Sequence, residues 1–405
     1  MARQKERKNM KTEGRETSPT KLGTGNGSGK TDDVYERLVD ALEALPHGFA
    51  RTPSGVEIKL MKKAFTEEEV RLAGQLTRTP ETAAEIANRL DRDVAEVTAL
   101  LESLVPLGLV SYPGNTAGGG VLKEEMKGEK KYRLRPFMVG WYEAGMRRLD
   151  KEFAELFEQF ITEGGGERVF APRPGLLGIV PHRGTLKPEL IKREPHLDID
   201  AHFQRHERFL VIPCVCRREQ EILGDYSCEL PMKRCGFVGL PPQTPLGETV
   251  LDREEAMKLF DSLEKQGHVH LAFYGFTMFA DAPQFMGTCN CCSCCCGILH
   301  GPKLAGLDPS TQGPQKSNYR AVIDPEKCTT CGACIELCPV KVIAEDENGK
   351  AKVNRDKCIG CAVCVTGCPV DAIGMEPVSA EEWFHTPSSM AEWEEMRLAD
   401  LALTK

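Results

Sequence analysis

The residues with the clearest chemical potential are cysteines near the end of the chain. They stand in two runs of one spacing, Cys328-x2-Cys331-x2-Cys334-x3-Cys338-Pro339 and Cys358-x2-Cys361-x2-Cys364-x3-Cys368-Pro369. The flanks repeat as well, because Val340 and Ile343 follow the first run as Val370 and Ile373 follow the second. Three thiolates on so short a loop can hold three corners of a metal–sulfur centre, and the fourth ligand has to come from outside that loop. The duplication therefore predicts two metal centres.

The duplicated runs resemble the bacterial two-cluster ferredoxin domain, over residues 319–377. The resemblance implies two [4Fe–4S] clusters, each of which takes its fourth ligand from the other run. The first cluster would be bound by Cys328, Cys331, Cys334 and Cys368, and the second by Cys358, Cys361, Cys364 and Cys338. The motif brings no base, nucleophile or substrate pocket, so it implies electron transfer and no particular reaction.

Zinc is the alternative for these eight cysteines, because paired cysteines also build zinc ribbons. A zinc ribbon uses two such pairs separated by a longer span. It would leave the third cysteine and the following proline of each run without a role. The spacing therefore favours clusters.

Ten further cysteines lie earlier in the chain. Cys214, Cys216, Cys228 and Cys235 form one group, and six more stand between Cys289 and Cys296. Isolated buried cysteines behave as small hydrophobic residues, but six in eight positions is not a core pattern. Successive side chains diverge, so only some of the six are expected to bind. We predict a third site, an iron–sulfur cluster or zinc, whose candidate ligands are Cys214, Cys216, Cys228, Cys235, Cys292 and Cys295.

Composition limits the class of protein. The chain has 405 residues, 41% hydrophobic and 28% charged, which suits two or three globular domains and excludes a fully disordered chain. A formal charge of −8 argues against a general nucleic-acid binder. Residues 1–30 have no secretory signal, and the most apolar stretch, Val269 to Ala280, is too short to span a bilayer. A cytoplasmic protein is expected, and a reducing compartment favours metal binding over disulfides.

Periodic hydrophobic residues begin after the polar tail. Helical spacing runs from Val34 to Leu45, and residues 49–65 are predicted to be extended or loop. Three helices are predicted next: one after a capping box at Thr66–Glu69, one opening at Thr79-Pro80, and one from Val94 to Leu104. A β-hairpin is expected from residues 109–112 and 131–134.

Three short helices and a hairpin resemble a winged helix-turn-helix domain. Such domains often place the third helix in the major groove of DNA. Here that helix carries Glu96 and Glu102, which phosphates would repel, and only the wing, with Lys123 and Lys127, is basic. DNA binding is therefore the less favoured role, and docking of a redox partner protein is preferred.

The predicted fold class is α+β, with several domains. The boundaries are a disordered basic tail at 1–31, a winged-helix-like domain at 32–140, a linking helix at 141–166, a cysteine-rich region at 167–310, the ferredoxin domain at 319–377 and a helical tail at 378–405. The predicted function is electron transfer by an iron–sulfur protein. A redox-sensing transcriptional regulator and an oxidoreductase subunit with its active site in the cysteine-rich region are the alternatives.

Overall fold

The structure, a computed structural model, describes residues 33–112, 129–224, 236–240, 242, 245–247, 249–273 and 287–403. The predicted basic tail, most of the predicted wing, and Cys228 and Cys235 lie outside these residues. From Val34 onward the chain forms one compact unit.

The N-terminal part is mostly helical. Its elements are α1 (Val34–Glu43), α2 (Val56–Ala64), α3 (Glu67–Ala73), β1 (Glu81–Thr82), α4 (Ala83–Leu90), α5 (Val94–Leu104), β2 (Val110–Ser111) and β3 (Lys131–Leu134). The three strands make an antiparallel sheet in the order β1-β3-β2. The capping box predicted at Thr66 is present, because Thr66 accepts a hydrogen bond from the Glu69 amide and the Glu69 carboxylate accepts one from the Thr66 amide.

Two predictions for this part were wrong. Helix α2 occupies residues expected to be extended or loop, and it begins after Gly55 with no side-chain cap that the sequence could have signalled. Helix α4 does not open at Thr79-Pro80. Its N-cap is Thr82, whose hydroxyl accepts a hydrogen bond from the Glu85 amide at 3.1 Å.

The predicted single helix over 141–166 is also wrong, since the chain turns there more than once. A π-turn at Phe137–Trp141 leads into α6 (Tyr142–Ala144) and a 3₁₀ turn (Gly145–Arg148), and then α7 (Lys151–Phe160), a second π-turn (Ile161–Gly165) and α8 (Gly166–Phe170) follow. Asp150 explains the main break, because its carboxylate accepts a hydrogen bond from the Phe153 amide at 2.9 Å and so starts a new helix.

The cysteine-rich region is built around a six-stranded antiparallel sheet. Its elements are β4 (Leu177–Val180), α9 (Pro188–Arg193), α10 (Ile199–Gln204), β5 (Arg208–Ile212), α11 (Val215–Leu223), β6 (Gly236–Leu240), β7 (Val250–Asp252), α12 (Arg253–Lys265), β8 (Val269–Phe273), β9 (Gly287–Cys291) and α13 (Gly301–Leu304). The strand order is β4-β8-β9-β6-β5-β7. Phe203 of α10 and Phe260 of α12 pack together with ring centroids 5.3 Å apart.

The C-terminal part repeats a small unit. Its elements are β10 (Tyr319–Ile323), α14 (Ala333–Leu337), β11 (Ile343–Glu345), β12 (Ala351–Val353), α15 (Val363–Thr366), β13 (Ile373–Pro377) and α16 (Met390–Leu403). Strand β10 pairs with β13 and β11 pairs with β12, both antiparallel. Each short helix, α14 and α15, begins inside one cysteine run. In the part of the chain that the structure describes, no helix is both long enough and apolar enough to cross a membrane.

Candidate iron–sulfur centres

The first cysteine run encloses a cavity of about 420 Å³, a volume that includes solvent at its mouth. Four of the residues that line it are Cys328, Cys331, Cys334 and Cys368. Three of these belong to the first run and the fourth belongs to the second run. The other walls are mostly apolar, with Ile323 from β10 and Ile373 from β13 among them.

The second run encloses a cavity of about 330 Å³ with the reciprocal set of thiols. Cys358, Cys361 and Cys364 line it together with Cys338 of the first run. The chain thus brings together the same two sets of four cysteines that the resemblance implied.

The duplicated loops have the same backbone shape. The first loop is left-handed at Thr330, Gly332 and Lys341, and the second is left-handed at the residues thirty positions later, Gly360, Ala362 and Asp371. A left-handed backbone is unfavourable for residues other than glycine, so its occurrence at all six positions indicates a conformation that the site requires. Two of the three positions in each repeat lie within the three-cysteine loop, and the third follows the Cys-Pro step.

Cys338 and Cys368, which each line the cavity of the other run, accept a backbone hydrogen bond at sulfur. The amide of Val342 donates to Cys338 Sγ at 3.4 Å, and the amide of Ala372 donates to Cys368 Sγ at 3.3 Å. Hydrogen bonds from the amides of Ala351 and Thr330 lower the pKa of Cys328. Such hydrogen bonds stabilise thiolates and tune the reduction potential of a cluster.

Burial acts in the opposite direction on the innermost thiols. It raises the pKa of Cys364 to about 12 and holds the pKa of Cys361 well above its usual value. Four thiols in so apolar a cavity cannot ionise together without a positive charge among them. A bound metal supplies that charge and deprotonates its thiol ligands. The donor set, its burial and the cavity therefore fit an iron–sulfur cluster.

Comparison with known proteins agrees with this geometry. Residues 321–375 match the family model of the 4Fe-4S dicluster domain. The match includes all eight cysteines of the two runs and supports a ferredoxin-type iron–sulfur domain in this part of the chain. No curated protein matches the chain.

The described thiols of the cysteine-rich region fall into two groups. The larger group, here called the five-thiol group, consists of Cys214, Cys216, Cys289, Cys291 and Cys296. Contacts with Cys289 and Cys296, together with burial, raise the pKa of Cys291. Contact with Cys214, burial and the charge of Cys296 raise the pKa of Cys216. The group therefore joins two segments that are more than seventy residues apart in the sequence.

The smaller group, here called the thiol triad, consists of Cys292, Cys294 and Cys295. Their sulfur atoms all lie within 4.8 Å of one another, and Cys294 Sγ is 3.4 Å from Cys295 Sγ. Contact with Cys292 and Cys294 raises the pKa of Cys295. A tetrahedral ion with metal–sulfur bonds of ~2.3 Å holds its thiolates about 3.8 Å apart, so the triad has the spacing of a single ion.

The structure describes four of the six predicted ligands of the third site. Cys214 and Cys216 are in the five-thiol group, Cys292 and Cys295 are in the triad, and Cys228 and Cys235 lie outside the described residues. Sequence reasoning did not single out Cys289, Cys291, Cys294 and Cys296. Alternation was an available signal for two of them, because Cys289 and Cys291 on β9 share one face of the strand.

A chain of hydrogen bonds joins the dicluster domain to the cysteine-rich sheet. The amide of His182 donates to the carbonyl of Cys361 at 3.2 Å. The ring Nε2 of His182 lies 2.6 Å from the carbonyl oxygen of His268, and the ring Nδ1 of His268 lies 3.1 Å from the carbonyl oxygen of Asn290. Asn290 stands between Cys289 and Cys291. Burial, the largest cause, lowers the pKa of His182 to about 4, so its ring is neutral at pH 7.

Proposed function

We propose that this protein is an electron carrier with two [4Fe–4S] clusters in its dicluster domain. One cluster is bound by Cys328, Cys331, Cys334 and Cys368, and the other by Cys358, Cys361, Cys364 and Cys338. The observation that carries the proposal is the pair of cavities, each lined by three cysteines of one run and one of the other. Each cluster passes one electron at a time, and the crossed ligands keep the two clusters close.

Paired substitutions test the crossed ligand sets. Cys338→Ser and Cys361→Ser are expected to remove the same cluster, so either single variant and the double variant all lose about four irons per chain. Cys338→Ser combined with Cys331→Ser removes both clusters and loses about eight. The measurements are iron and acid-labile sulfide per chain after anaerobic purification, with electron paramagnetic resonance of the reduced protein.

The reverse pattern would show that each run binds its own cluster. In that case Cys338→Ser would combine with Cys331→Ser without further loss and would add to the loss from Cys361→Ser. Wild-type protein that came out without iron, or with zinc on these eight cysteines, would refute the electron-carrier proposal itself.

The N-terminal helices and sheet fit a docking role in this proposal. The order α3, β1, α4, α5, β2, β3 and the sheet order β1-β3-β2 support the winged-helix interpretation. Two of the basic groups beside α5 are paired within the chain, because Arg92 contacts Glu96 and Lys130 lies 2.7 Å from Glu102. Such pairing favours a protein partner over DNA phosphates. Thiolates and sulfides make the dicluster domain negative, so a basic patch on the partner would assist association.

The cysteine-rich region supplies a further metal site in this proposal. Eight described thiols lie there in two groups, and the thiols of each group contact one another. Thiolates are ligands both of iron–sulfur clusters and of zinc. The contacts of these thiols indicate which of the two groups binds a metal and whether that metal is iron or zinc.

A further inference from the structure

We propose that the third metal centre is an iron–sulfur cluster bound by Cys214, Cys216, Cys291 and Cys296 of the five-thiol group. This inference rests on the proposed function and assigns its least defined site. The four residues come from the start of α11, the end of β9 and the turn that follows β9. The two segments meet here, because Cys291 contacts Cys296 and the sulfur of Cys216 lies beside Gly297, the residue after Cys296.

Backbone amides point at the sulfur atoms of this group, as they do in the dicluster domain. The amide of Arg217 donates to Cys214 Sγ at 3.4 Å, and the amide of Ile298 donates to Cys296 Sγ at 3.3 Å. The amide of Gly297 donates to Cys216. A side chain at Gly297 would crowd this contact, since an added Cβ would lie 3.4 Å from Cys216 Sγ and 3.0 Å from Met138. Amide donors of this kind stabilise thiolates.

A buried positive charge lies beside the group. Arg217 follows Cys216 in the chain and has 1% of its surface exposed. Its Nη2 donates to the carbonyl of Asn290 at 3.1 Å, and Asn290 is the residue between Cys289 and Cys291. A guanidinium buried at this point offsets negative charge, and a cluster with four thiolates carries such charge.

The spacing of the thiols separates a cluster from a single ion. In the described residues, neither the five-thiol group nor the eight cysteines of the dicluster domain include three that lie within 4.8 Å of one another, whereas the thiol triad does. A single tetrahedral ion draws its thiolates to about 3.8 Å from one another. Within the five-thiol group Cys214 contacts Cys216, and Cys291 contacts Cys296. Such contacting pairs suit a centre that binds its thiolates through more than one iron, as an iron–sulfur cluster does.

The position of the group suits a redox centre. Three hydrogen bonds, through His182 and His268, lead from the carbonyl of Cys361 in the second cavity to Asn290, next to Cys291. A purely structural metal ion has no functional need to lie close to the second cavity. A cluster at the five-thiol group would instead extend the pair in the dicluster domain.

Iron and acid-labile sulfide counts on the full chain test the assignment. Wild-type protein is expected to hold more than the eight irons of two cubes, about twelve if the third cluster is a cube. Cys216→Ser and Cys296→Ser should each bring both counts down to about eight. Cys294→Ser is the matched control, because it removes a neighbouring thiol of the triad and should leave both counts unchanged.

The retained eight irons in Cys216→Ser also show that the variant has folded around its dicluster domain. If Cys294→Ser lowers the counts and Cys216→Ser does not, the centre is at the triad and the assignment fails. Eight irons and one zinc in the wild type would likewise overturn it while leaving the electron-carrier proposal intact. Fewer than eight irons in the wild type would instead count against the dicluster clusters.

Discussion

At the scale of single residues, the duplicated loops show why glycine occurs where it does. Gly332 and Gly360 both have φ of +75°, but only Gly360 has no room for a side chain. A Cβ at Gly360 would lie 2.1 Å from Ser317 Oγ and 2.2 Å from the carbonyl oxygen of Tyr319, whereas a Cβ at Gly332 would meet nothing within 4 Å. Position 362, which corresponds to Gly332, is an alanine with φ of +61°.

Gly360→Ala is therefore expected to damage the second cluster site, and Gly332→Ala to be tolerated. At Gly332 the cost is the left-handed strain of about 1–2 kcal/mol. At Gly360 the clash adds to that strain and pushes the loop away from β10, so the cluster bound by Cys358, Cys361 and Cys364 should be lost in whole or part. Iron counts and melting temperatures of the two variants are the measurements. Equal effects would mean that the contact with Ser317 and Tyr319 gives way easily.

At the scale of elements, the C-terminal helix α16 ties distant parts of the chain together. Arg397 is fully buried and donates hydrogen bonds to the carbonyls of Pro46, Val169, Pro172 and Pro174, at 2.5 to 2.7 Å. One turn earlier, Trp393 donates from Nε1 to the carbonyl of Gly175 at 3.2 Å. The carbonyl of Val169 lies in the last turn of α8 and the others lie in loops, so α16 completes the hydrogen bonding of acceptors that have no partner within their own segment.

Arg397→Lys should accordingly destabilise the whole unit by about 3 kcal/mol or more. The ammonium group keeps the charge but cannot reach four carbonyls in the fork geometry of a guanidinium, and each buried acceptor left unpaired costs ~1–3 kcal/mol. Urea unfolding followed by circular dichroism measures the change. Glu395→Ala, at an exposed position of the same helix, is the control and should shift stability by less than about 0.5 kcal/mol. A similar shift in both variants would contradict the role of Arg397.

Elements that have a local sequence signal could be predicted, and elements without one were missed. Helix α3 was predicted from its capping box, and the eight dicluster cysteines from their duplication. Helix α2 has no capping side chain, so nothing in the sequence separated it from a loop. The cysteine of the run 289–296 that lies nearest to Cys216 could not be predicted for another reason. It depends on the turn that brings Cys296 back to Cys291, and spacing alone does not determine that turn.

At the scale of the whole molecule, four histidines away from the thiol sites are held in the neutral form at pH 7. Burial is the largest cause that lowers the pKa of His47, His196, His202 and His206, and it brings the pKa of His196 and His206 to about 4. Nearby cations act in the same direction: Arg397, Arg133 and Arg135 face His47, and Arg205 and Arg253 face His206. Protonating any of these rings in the folded protein would bury a positive charge, which is unfavourable.

The fold should therefore lose stability on mild acidification, before most carboxylates are protonated. The unfolded chain binds protons at these histidines near pH 6.5 and the folded chain does not, so stability is complete above that pH and falls as the pH drops toward 4. Each histidine contributes a slope of up to about 1.4 kcal/mol per pH unit. Urea unfolding between pH 7.5 and 5 measures the slope, and cluster absorbance in the same samples separates loss of iron from unfolding.

His47→Phe keeps a ring against Trp393, whose centroid is 4.9 Å from that of His47, and should reduce the slope. The exposed His385→Asn should leave it unchanged. Identical slopes in the wild type and His47→Phe would show that His47 accepts a proton in the folded state.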